Sequence, residues 1–409
     1  MNSRLKTEYP VIVAGGGIGG LSVALGLARS GFQVQVFEQA SEFREVGAGI
    51  QLAPNGMRAL HRLGLTDKIN VWTSLPPAIE LRDALDGSRF ARLDLGQDFI
   101  KRFGHPYAVI HRADLLSTIF AACEEHPNIR LERNAEVADF DQDDSSVTVS
   151  LADGRAIKGH ALVGADGLRS VIRQKIIGDG RNKTSRLVCY RSVVPRSAIP
   201  DSLWNPDVVM WSGPNADFVH YPLRRGELYN LVATFLSDEE FDVTDIAGRP
   251  DEVHGSFQGH LPEVHELLQK IDMGRRWLVG GREPVKNWSE GRVTLIGDAA
   301  HPMYQYAAQG ACQALEDSVC LAERMKAAPE DPAAAFQAYY SARYVHTARV
   351  QLTAKHLREL AQFGGALADL RAQLFAERWA TQDKSYDTLT WLWGEATTEQ
   401  SLLCLDEAA

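Results

Sequence analysis

The chain has 409 residues, of which 45% are hydrophobic and 23% are charged, and its formal net charge at pH 7 is −10. This length is sufficient for a large buried core in two or three domains, and an acidic balance without a basic patch argues against a nucleic-acid partner. No apolar run reaches the ~18 residues of a membrane span, and the N-terminal residues lack the apolar core of a signal peptide.

The first motif is a glycine-rich turn near the start of the chain. Val11–Ala14 is an apolar run that predicts a short buried strand, and the glycines that follow fit G-x-G-x-x-G at Gly15, Gly17 and Gly20. A helix and a second strand are predicted next, and Glu38 ends that strand near the ~20-residue spacing of an acid that binds a ribose hydroxyl. The order of strand, glycines, helix, strand and acid predicts a dinucleotide site whose phosphates face the helix N-terminus.

Two arginines follow at positions that suit an anionic group. Arg44 lies in a glycine- and proline-rich loop, where it would either contact a phosphate or adenosine group or remain a solvated charge. Residues Tyr107 to Arg112 predict a strand that ends in a cation. Residues 79–95 are predicted to form short strands, and residues 129–151 three more.

A second motif lies where an apolar strand leads into Asp166 and Gly167. A helix with basic residues is predicted to begin at Ser170, which suits a phosphate or another cofactor group near the helix start. The alternative is an ordinary capped helix whose arginines lie at the surface.

A third motif is the predicted strand that ends in Gly297 and Asp298. The Asp298 carboxylate can accept hydrogen bonds from sugar or ribityl hydroxyls, or it can cap a helix. A helix over residues 312–325 follows Gly310, and backbone amides at its start could face an electron-rich ring edge.

Residues 187–235 are rich in predicted strands separated by Pro, Gly and Asn, which indicates an antiparallel sheet in a second domain. Side chains alternate along a strand, so Asp217, Val219 and Tyr221 share one face and His220 lies on the other.

Together the three motifs resemble those of single-component FAD-dependent aromatic hydroxylases with the para-hydroxybenzoate hydroxylase fold, over nearly the whole chain. The resemblance implies an α/β fold in which a Rossmann-like FAD-binding domain is interleaved with a smaller mixed-sheet substrate domain. The implied boundaries are 1–78, 103–186 and 280–360 for the FAD-binding domain, 79–102 and 187–279 for the substrate domain, and 361–409 for a helical C-terminal segment. The aromatic side chains of residues 370–393 are expected in the core or in a dimer contact.

The resemblance also implies tightly but non-covalently bound FAD, with NADH or NADPH as a transient reductant and O₂ as the oxidant. A second complete Rossmann unit for the nicotinamide is not visible in the sequence, which agrees with transient docking. The residues implied to hold FAD are Gly15, Gly17, Ile18, Gly20, Glu38, Gln51, Arg112, Asp166, Asp298, Pro302, Gly310 and Ala311.

Within this family the chain is most similar to the 3-hydroxybenzoate 6-hydroxylases and more distantly to the salicylate 1-hydroxylases. The segments that carry this resemblance are 43–55, 107–112, 220–223 with 226–227, and 301–311. The similarity implies that NAD(P)H and O₂ are used to convert 3-hydroxybenzoate to 2,5-dihydroxybenzoate (gentisate).

The implied pocket has one departure from that pattern. The residues expected to bind substrate are Tyr107, Val219, Tyr221 and Gln305, and those expected to act in catalysis are Asp217, Gln305 and Tyr221. The related 6-hydroxylases carry a histidine at the position of Asp217, so Asp217 either replaces it as the base for a phenol or indicates a different substrate. A carboxylate beside an anionic benzoate is repulsive unless it is protonated or paired. His220 is an alternative base, although strand alternation points it away.

Other functions stay open at this point. They are a decarboxylating or ortho hydroxylase of the salicylate type, a hydroxylase of a related phenol or N-heteroaromatic, and a non-catalytic flavin-binding sensor. Five scattered cysteines without Cys-x-x-Cys spacing favour free thiols in a reducing cytoplasm and no metal site. We expect a homodimer that binds a small aromatic molecule and does not insert stably into a membrane. The sequence does not distinguish NADH from NADPH.

Overall fold

The computed structural model describes residues 7–43, 47–180, 184–242 and 246–394, so the prediction for Arg44 lies outside the described residues. The strands of this part are β1 (Val11–Ala14), β2 (Val34–Phe37), β3 (Gly49–Leu52), β4 (Ala78–Asp83), β5 (Arg89–Asp94), β6 (Ala108–His111), β7 (Ile129–Glu132), β8 (Val137–Gln142), β9 (Val147–Leu151), β10 (Ala156–Gly159), β11 (Ala161–Gly164), β12 (Thr184–Pro195), β13 (Val208–Gly213), β14 (Ala216–Leu223), β15 (Leu228–Asp242), β16 (Trp277–Leu278), β17 (Ser289–Glu290) and β18 (Val293–Leu295).

The α-helices of the same residues are α1 (Ile18–Arg29), α2 (Pro54–Arg62), α3 (Thr66–Asn70), α4 (Gln97–Phe103), α5 (Arg112–Glu124), α6 (Val171–Ile176), α7 (Pro250–Ser256), α8 (Pro262–Leu268), α9 (Gly310–Ala327), α10 (Pro332–Ala361), α11 (Ala366–Arg378) and α12 (Gln382–Trp393). Among the described residues, no helix combines the length and the apolar character that crossing a membrane requires.

A six-stranded sheet gathers the three sequence motifs at one edge. Its order is β17-β18-β11-β1-β2-β7, and all neighbours run parallel except β17 and β18. Every residue of β1 and β11 is buried, as expected for parallel strands covered on both faces. Because parallel strands end at the same edge, the residues after β1, β2, β11 and β18 lie together, and these are the residues of the glycine turn, Glu38, Asp166 and Asp298.

A seven-stranded sheet forms the second layer, with the order β16-β12-β15-β14-β13-β4-β5. Its neighbours are antiparallel except β13 and β4. Tyr190, Ala233 and Phe218 are paired in register on one face, and this face packs with the apolar side chains of α7 and α8. The opposite face is therefore the one available for a cavity between the sheets.

The C-terminal helices close the side of the molecule. Helix α11 packs on β5, and α12 packs on α4, where Phe99 and Phe103 meet Tyr386 and Trp393 edge to face. The C-terminal aromatic side chains thus contribute to the core, which was one of the two predicted roles.

The α/β fold class with its mixed sheet and helical C-terminal segment is confirmed, whereas the domain boundaries stay a prediction. Two helical regions each contain two helices. The region 252–271 is divided into α7 and α8, because Pro262 starts a new helix. The region 370–393 is divided into α11 and α12, because the Thr381 side chain accepts a hydrogen bond from the Lys384 amide and caps α12.

The contact between β1 and α1 predicts the effect of two neighbouring substitutions. A Cβ atom at Gly20 would lie 1.9 Å from the carbonyl oxygen of Gly15, whereas one at Gly19 would lie 3.5 Å from the nearest heavy atom, the Ala314 Cβ. We expect Gly20→Ala to lower the free energy of unfolding by roughly 2 kcal/mol or more through this clash. Gly19→Ala, the matched control, should change it by less than about 1 kcal/mol. Urea unfolding of both variants checks this, and equal losses would contradict it.

Candidate active site

A cavity of about 1760 Å³ lies between the motif-bearing edge of the six-stranded sheet and the open face of the seven-stranded sheet. Its walls combine the glycine turn, the segments after β11 and β18, the start of α9 and the side chains of β12 to β15. Cavities of this kind at the carboxyl ends of parallel strands are the usual ligand sites of open α/β sheets.

The glycine turn leaves room for a ligand at one position and for close packing at another. Gly15 has φ +106°, and a Cβ there would lie 2.4 Å from the Ala165 carbonyl oxygen. A Cβ at Gly17 would meet nothing within 4 Å, so the backbone at the start of α1 is open to the cavity. Glu38 accepts hydrogen bonds from the amides of Gly16 (2.7 Å) and Ala40 (2.8 Å). It therefore braces the turn as well as lining the cavity.

The second motif is tied to the third by a buried arginine. Asp166 Oδ2 accepts hydrogen bonds from the amides that start α6, at 2.9 and 3.4 Å. Its Oδ1 is buried without a partner among the described residues, and burial raises the pKa of this carboxyl. Ser170 caps α6, as the alternative reading proposed, but Arg173 is not at the surface. Arg173 is buried and donates to the carbonyl oxygens of Ala299 (2.9 Å) and Ala300 (2.6 Å).

The third motif presents Asp298 to the cavity. No described residue donates a hydrogen bond to its carboxylate, and it does not cap a helix, because α9 begins only at Gly310. The low-dielectric surroundings raise the pKa of Asp298, and the charges of His301 and Arg112 oppose this. An anionic acceptor without a protein donor is available for the hydroxyl groups of a ligand.

A buried carboxylate fixes the loop that carries Asp298. Asp317 on α9 accepts hydrogen bonds from the amide of Gly297 (2.9 Å) and is 2.7 Å from His301 Nε2. Arg343 donates to its other oxygen at 2.8 Å. Burial alone would raise the pKa of Asp317, but His301 and Arg343 lower it below its usual range. His301 therefore holds the loop.

These observations fit FAD. The open backbone at Gly17 suits a pyrophosphate. The Oδ1 atom of Asp166, which has no partner among the described residues, can accept a hydrogen bond from the cofactor. The Asp298 carboxylate suits the hydroxyl groups of the ribityl chain. Other predicted cofactor residues that line the cavity are Ile18, Gln51, Arg112, Gly310 and Ala311. Two do not line it. Gly20 instead lets α1 approach β1, and Pro302 is buried, where its carbonyl accepts from Gln351.

The open face of the seven-stranded sheet carries Asp217 at its centre. In register, Asp217 is opposite Thr234 on β15 and Ser212 on β13, and the next row places Val219 opposite Val232. Asp217 is only 2% exposed. Burial raises its pKa to about 7, although hydrogen bonds from Tyr306 and Gln362 oppose this rise.

Gln305 lies directly above this row. Its Nε2 donates to the Thr234 hydroxyl at 2.9 Å, and Thr234 is paired in register with Asp217, so Gln305 and Asp217 meet at the same row of this sheet face. Val219 and Tyr221 line the cavity on the same strand face as Asp217. Their roles in substrate binding stay predictions.

Two buried tyrosines stand at the other end of this wall. Tyr107 donates to Gln51 Oε1 at 2.5 Å, so its hydroxyl already has a partner. Burial raises the pKa of both Tyr107 and Tyr221, and for Tyr221 a hydrogen bond with Gln51 and the charge of Arg191 oppose the rise. Both hydroxyls are therefore neutral donors at physiological pH.

The alternative base, His220, does not reach the cavity. It lies on the opposite face, where its Nε2 accepts from the Trp211 indole at 3.0 Å and its Nδ1 is 2.7 Å from the Tyr229 hydroxyl. Burial lowers the pKa of His220 to about 3. A neutral, fully engaged imidazole in the core cannot accept a proton from a ligand on the other side of the sheet.

Sequence reasoning missed three residues of this wall. Tyr306 and Gln362 contact Asp217 from distant segments, and no local pattern marks either one. Arg191 on β12 lines the cavity with its guanidinium 4.4 Å from the Trp277 ring centroid. A charged residue inside an apolar strand was a signal that could have indicated Arg191.

The comparison with known families gives the class. Residues 8–351 match the family model described as FAD binding domain. The chain belongs to this family and is an FAD-dependent aromatic monooxygenase, with FAD as its cofactor. The prediction of this family is confirmed, and membership in a family of enzymes does not favour the non-catalytic sensor.

A particular group of relatives stands out. The chain is 43% identical over 390 residues to the 3-hydroxybenzoate 6-hydroxylase of Polaromonas naphthalenivorans, covering 95% of this chain and 96% of that protein. Klebsiella pneumoniae HpxO complexed with FAD and uric acid has the same fold, with a TM-score of 0.83 at 24% identity, covering 97% and 100% of the two chains. A salicylate hydroxylase substrate complex gives a TM-score of 0.75 at 25% identity, covering 95% and 99%.

The Asp298 carboxylate has no hydrogen-bond donor among the described residues, which leads to a prediction about FAD binding. We expect Asp298→Ala to weaken FAD binding by about 10- to 100-fold, because a charged acceptor for hydroxyl groups is lost. The matched control Asp298→Asn keeps one acceptor oxygen and should retain more FAD. Fluorescence titration of the apoproteins measures both affinities. An Asp298→Ala protein that binds FAD as tightly as the parent would contradict this assignment.

Proposed function

We propose that this monooxygenase hydroxylates a hydroxylated benzoate, with 3-hydroxybenzoate as substrate and 2,5-dihydroxybenzoate as product. The observation that carries the proposal is the convergence of Asp217 and Gln305 on one wall of the cavity, with Tyr221 on the same strand face. The similarity to a 3-hydroxybenzoate 6-hydroxylase at 43% identity supports the choice of substrate.

Gly15, Gly17, Arg112, Asp166 and Asp298 would hold the cofactor. Bound FAD, reduced by NAD(P)H, would activate O₂ for the hydroxylation of an electron-rich ring.

The protein's own task is to make the ring electron-rich and to exclude water. Asp217 would accept the proton of the substrate hydroxyl, and a pKa of about 7 leaves this carboxyl partly ionised at neutral pH. Gln305 would orient the same hydroxyl, since its Nε2 donates one hydrogen to Thr234 and has a second N–H that can donate to the hydroxyl oxygen. The burial of Asp217 and Tyr221 keeps water from the reacting atoms.

A cation on the same sheet face suits an aromatic acid. Arg191 is paired in register with Val232, which is in turn opposite Val219, so its charge lies one row away from Asp217. Its charge opposes the rise in the pKa of Tyr221. Arg191 and the Tyr221 hydroxyl would therefore attract a substrate carboxylate and offset its repulsion from Asp217.

One observation supports a second candidate. Asp217 replaces the histidine expected from the resemblance, and a carboxylate can accept a proton from a differently substituted phenol. A salicylate-type or related phenol hydroxylase is therefore the alternative, and its products differ from gentisate.

We also propose that the enzyme is a cytoplasmic homodimer. Exposed apolar side chains on α10 and α11, namely Val345, Leu352, Leu367 and Leu370, support a contact between copies of the chain. Four described cysteines without a disulfide bond, namely Cys123, Cys189, Cys312 and Cys320, are compatible with a reducing compartment.

A substrate screen tests the function. We expect 3-hydroxybenzoate to stimulate NADH or NADPH oxidation by the holoenzyme and to give gentisate, identified by chromatography against standards. Salicylate is the comparison substrate, and catechol as its main product would favour the alternative. If no phenolic acid stimulates oxidation of either nucleotide, the proposal is wrong.

The role of Asp217 gives a separate prediction. Asp217→Ala should lower the hydroxylated product formed per NADH oxidised by about tenfold or more, because the base is lost. The rate of flavin reduction should change by less than about threefold, since Asp217 takes no part in hydride transfer. Ser212→Ala, which removes a neighbouring hydroxyl in register with Asp217, is the matched control and should keep the parent product yield. Equal losses of reduction and hydroxylation in Asp217→Ala would argue against a role as base.

A further inference from the structure

Three side chains form a closed triangle of hydrogen bonds around one oxygen of Asp217. The Tyr306 hydroxyl donates to Asp217 Oδ1 at 2.7 Å, and Gln362 Nε2 donates to the same oxygen at 3.0 Å. Gln362 Nε2 is also 3.0 Å from the Tyr306 hydroxyl oxygen, to which it donates. Asp217 Oδ2 accepts no hydrogen bond from the described residues.

The three members come from different parts of the fold, and each is fixed by its backbone. Asp217 lies within β14, and Tyr306 lies in a short 3₁₀ turn over Gln305–Ala307. Gln362 is the residue directly after α10, and its carbonyl oxygen accepts a hydrogen bond from the amide of Asn215 at 3.0 Å. Gln362 is thus bound to the turn that precedes β14, so the geometry exists before any ligand enters.

The triangle decides which oxygen of the carboxyl meets a ligand. A carboxylate oxygen has two lone pairs, and both on Oδ1 are engaged by Tyr306 and Gln362. Asp217 is buried but lines the cavity, so Oδ2 is the oxygen left for a donor on the substrate.

The triangle also controls the charge on Asp217. Hydrogen bonds donated to a carboxylate favour its ionised form, whereas burial disfavours it. Here burial is the larger effect and raises the pKa of Asp217 to about 7, and the donors from Tyr306 and Gln362 are what oppose it.

Other charged and titratable groups near Asp217 do not replace these two donors. The Cys189 thiol on β12 stays neutral, because burial raises its pKa to about 11. Arg371 on α11 forms an ion pair with Asp83 on β4, with an Nη2 to Oδ2 distance of 2.7 Å. Arg358 on α10 acts on Tyr306, where its charge opposes the rise in the pKa of that phenol.

We propose that Tyr306 and Gln362 are positioning residues that hold Asp217 by Oδ1 and leave Oδ2 to receive the proton of the substrate's ring hydroxyl. This inference rests on the proposed function. In the step it describes, the O–H bond of the phenol breaks, a new O–H bond forms at Oδ2, and the electron pair stays on the phenolate oxygen. Neither positioning residue gains or loses a proton.

The sign of the effect follows from the donors. Without the Tyr306 hydroxyl, the ionised form of Asp217 loses a hydrogen bond, so the pKa of this carboxyl rises. A loss of one such bond is worth about one pH unit. Asp217 then stays protonated at neutral pH, and hydroxylation requires a more alkaline medium.

Infrared spectroscopy of the holoenzyme tests this without turnover. The carbonyl stretch of the protonated Asp217 carboxyl is followed against pH and identified by its loss in Asp217→Asn. We expect its midpoint to rise by about one pH unit in Tyr306→Phe and by a smaller amount in Gln362→Met. Tyr304→Phe is the matched control, because Tyr304 lines the same cavity and makes no hydrogen bond with Asp217, so the midpoint of this variant should equal that of the parent.

A second measurement separates this inference from the proposed function. The product formed per NADH oxidised is recorded against pH, and its acid limb should move to higher pH in Tyr306→Phe by the same amount as the infrared midpoint. An unchanged infrared midpoint in Tyr306→Phe would overturn the inference, whatever the enzyme hydroxylates. Failure of every phenolic acid as substrate would instead overturn the proposed function, and the infrared titration would still decide the role of Tyr306 and Gln362 in holding Asp217.

Discussion

The parallel pairing of β1 with β2 on one side and β11 on the other is the constraint on which the site depends. Parallel strands end at one edge, so this pairing places Gly15, Glu38 and Asp166 side by side, although the chain between the first and the last is about 150 residues long. Pairing of β18 with β11 adds Asp298 to the same edge. Short, fully buried strands can do this only because other elements cover them: α1 contacts β1, β2 and β7, and β9 of the three-stranded sheet contacts β11. The cofactor site is therefore a consequence of sheet topology, and the intervening segments are free to build the second sheet that faces it.

The charged groups around the cavity fall into two groups with different surroundings. Arg173 and Asp317 each have several partners, and each fixes a loop of the cofactor site. Fully partnered buried charges of this kind stabilise a geometry rather than react. Asp298 and Asp217 differ, because each keeps at least one oxygen without a donor among the described residues. Desolvation raises the pKa of both carboxyls, and a raised pKa in a cavity with an open acceptor is typical of carboxylates that bind a ligand or take part in catalysis.

Much of this arrangement could be predicted from the sequence, because local patterns determine it. The glycine spacing and the runs of β-branched residues predicted the dinucleotide turn, and the alternation along β14 separated Asp217 from His220. The fold class and the face that meets the cavity were implied by the resemblance to aromatic hydroxylases. Contacts between distant segments could not be predicted in this way. Tyr306 and Gln362 meet Asp217 across 89 and 145 residues of chain, and no periodicity joins them. Local signals were also overruled by tertiary contacts: Asp298 resembles a helix cap but faces a cavity, and Arg173 resembles a surface arginine but lies in the core.

The replacement of an expected histidine by Asp217 changes the electrostatics of proton transfer. A neutral imidazole that takes a proton from a phenol becomes a cation beside a new anion, so charge is created in a buried site. A carboxylate that takes the same proton becomes neutral while the phenol becomes an anion, so the net charge is unchanged and only its position moves. A carboxylate base has its free-energy cost before proton transfer, because Asp217 must stay ionised in a cavity that favours its neutral form. Donors on Oδ1 reduce that cost, and a cation such as Arg191 on the same face reduces the repulsion from an aromatic acid. The base that we propose, a buried aspartate, therefore depends on walls that provide both.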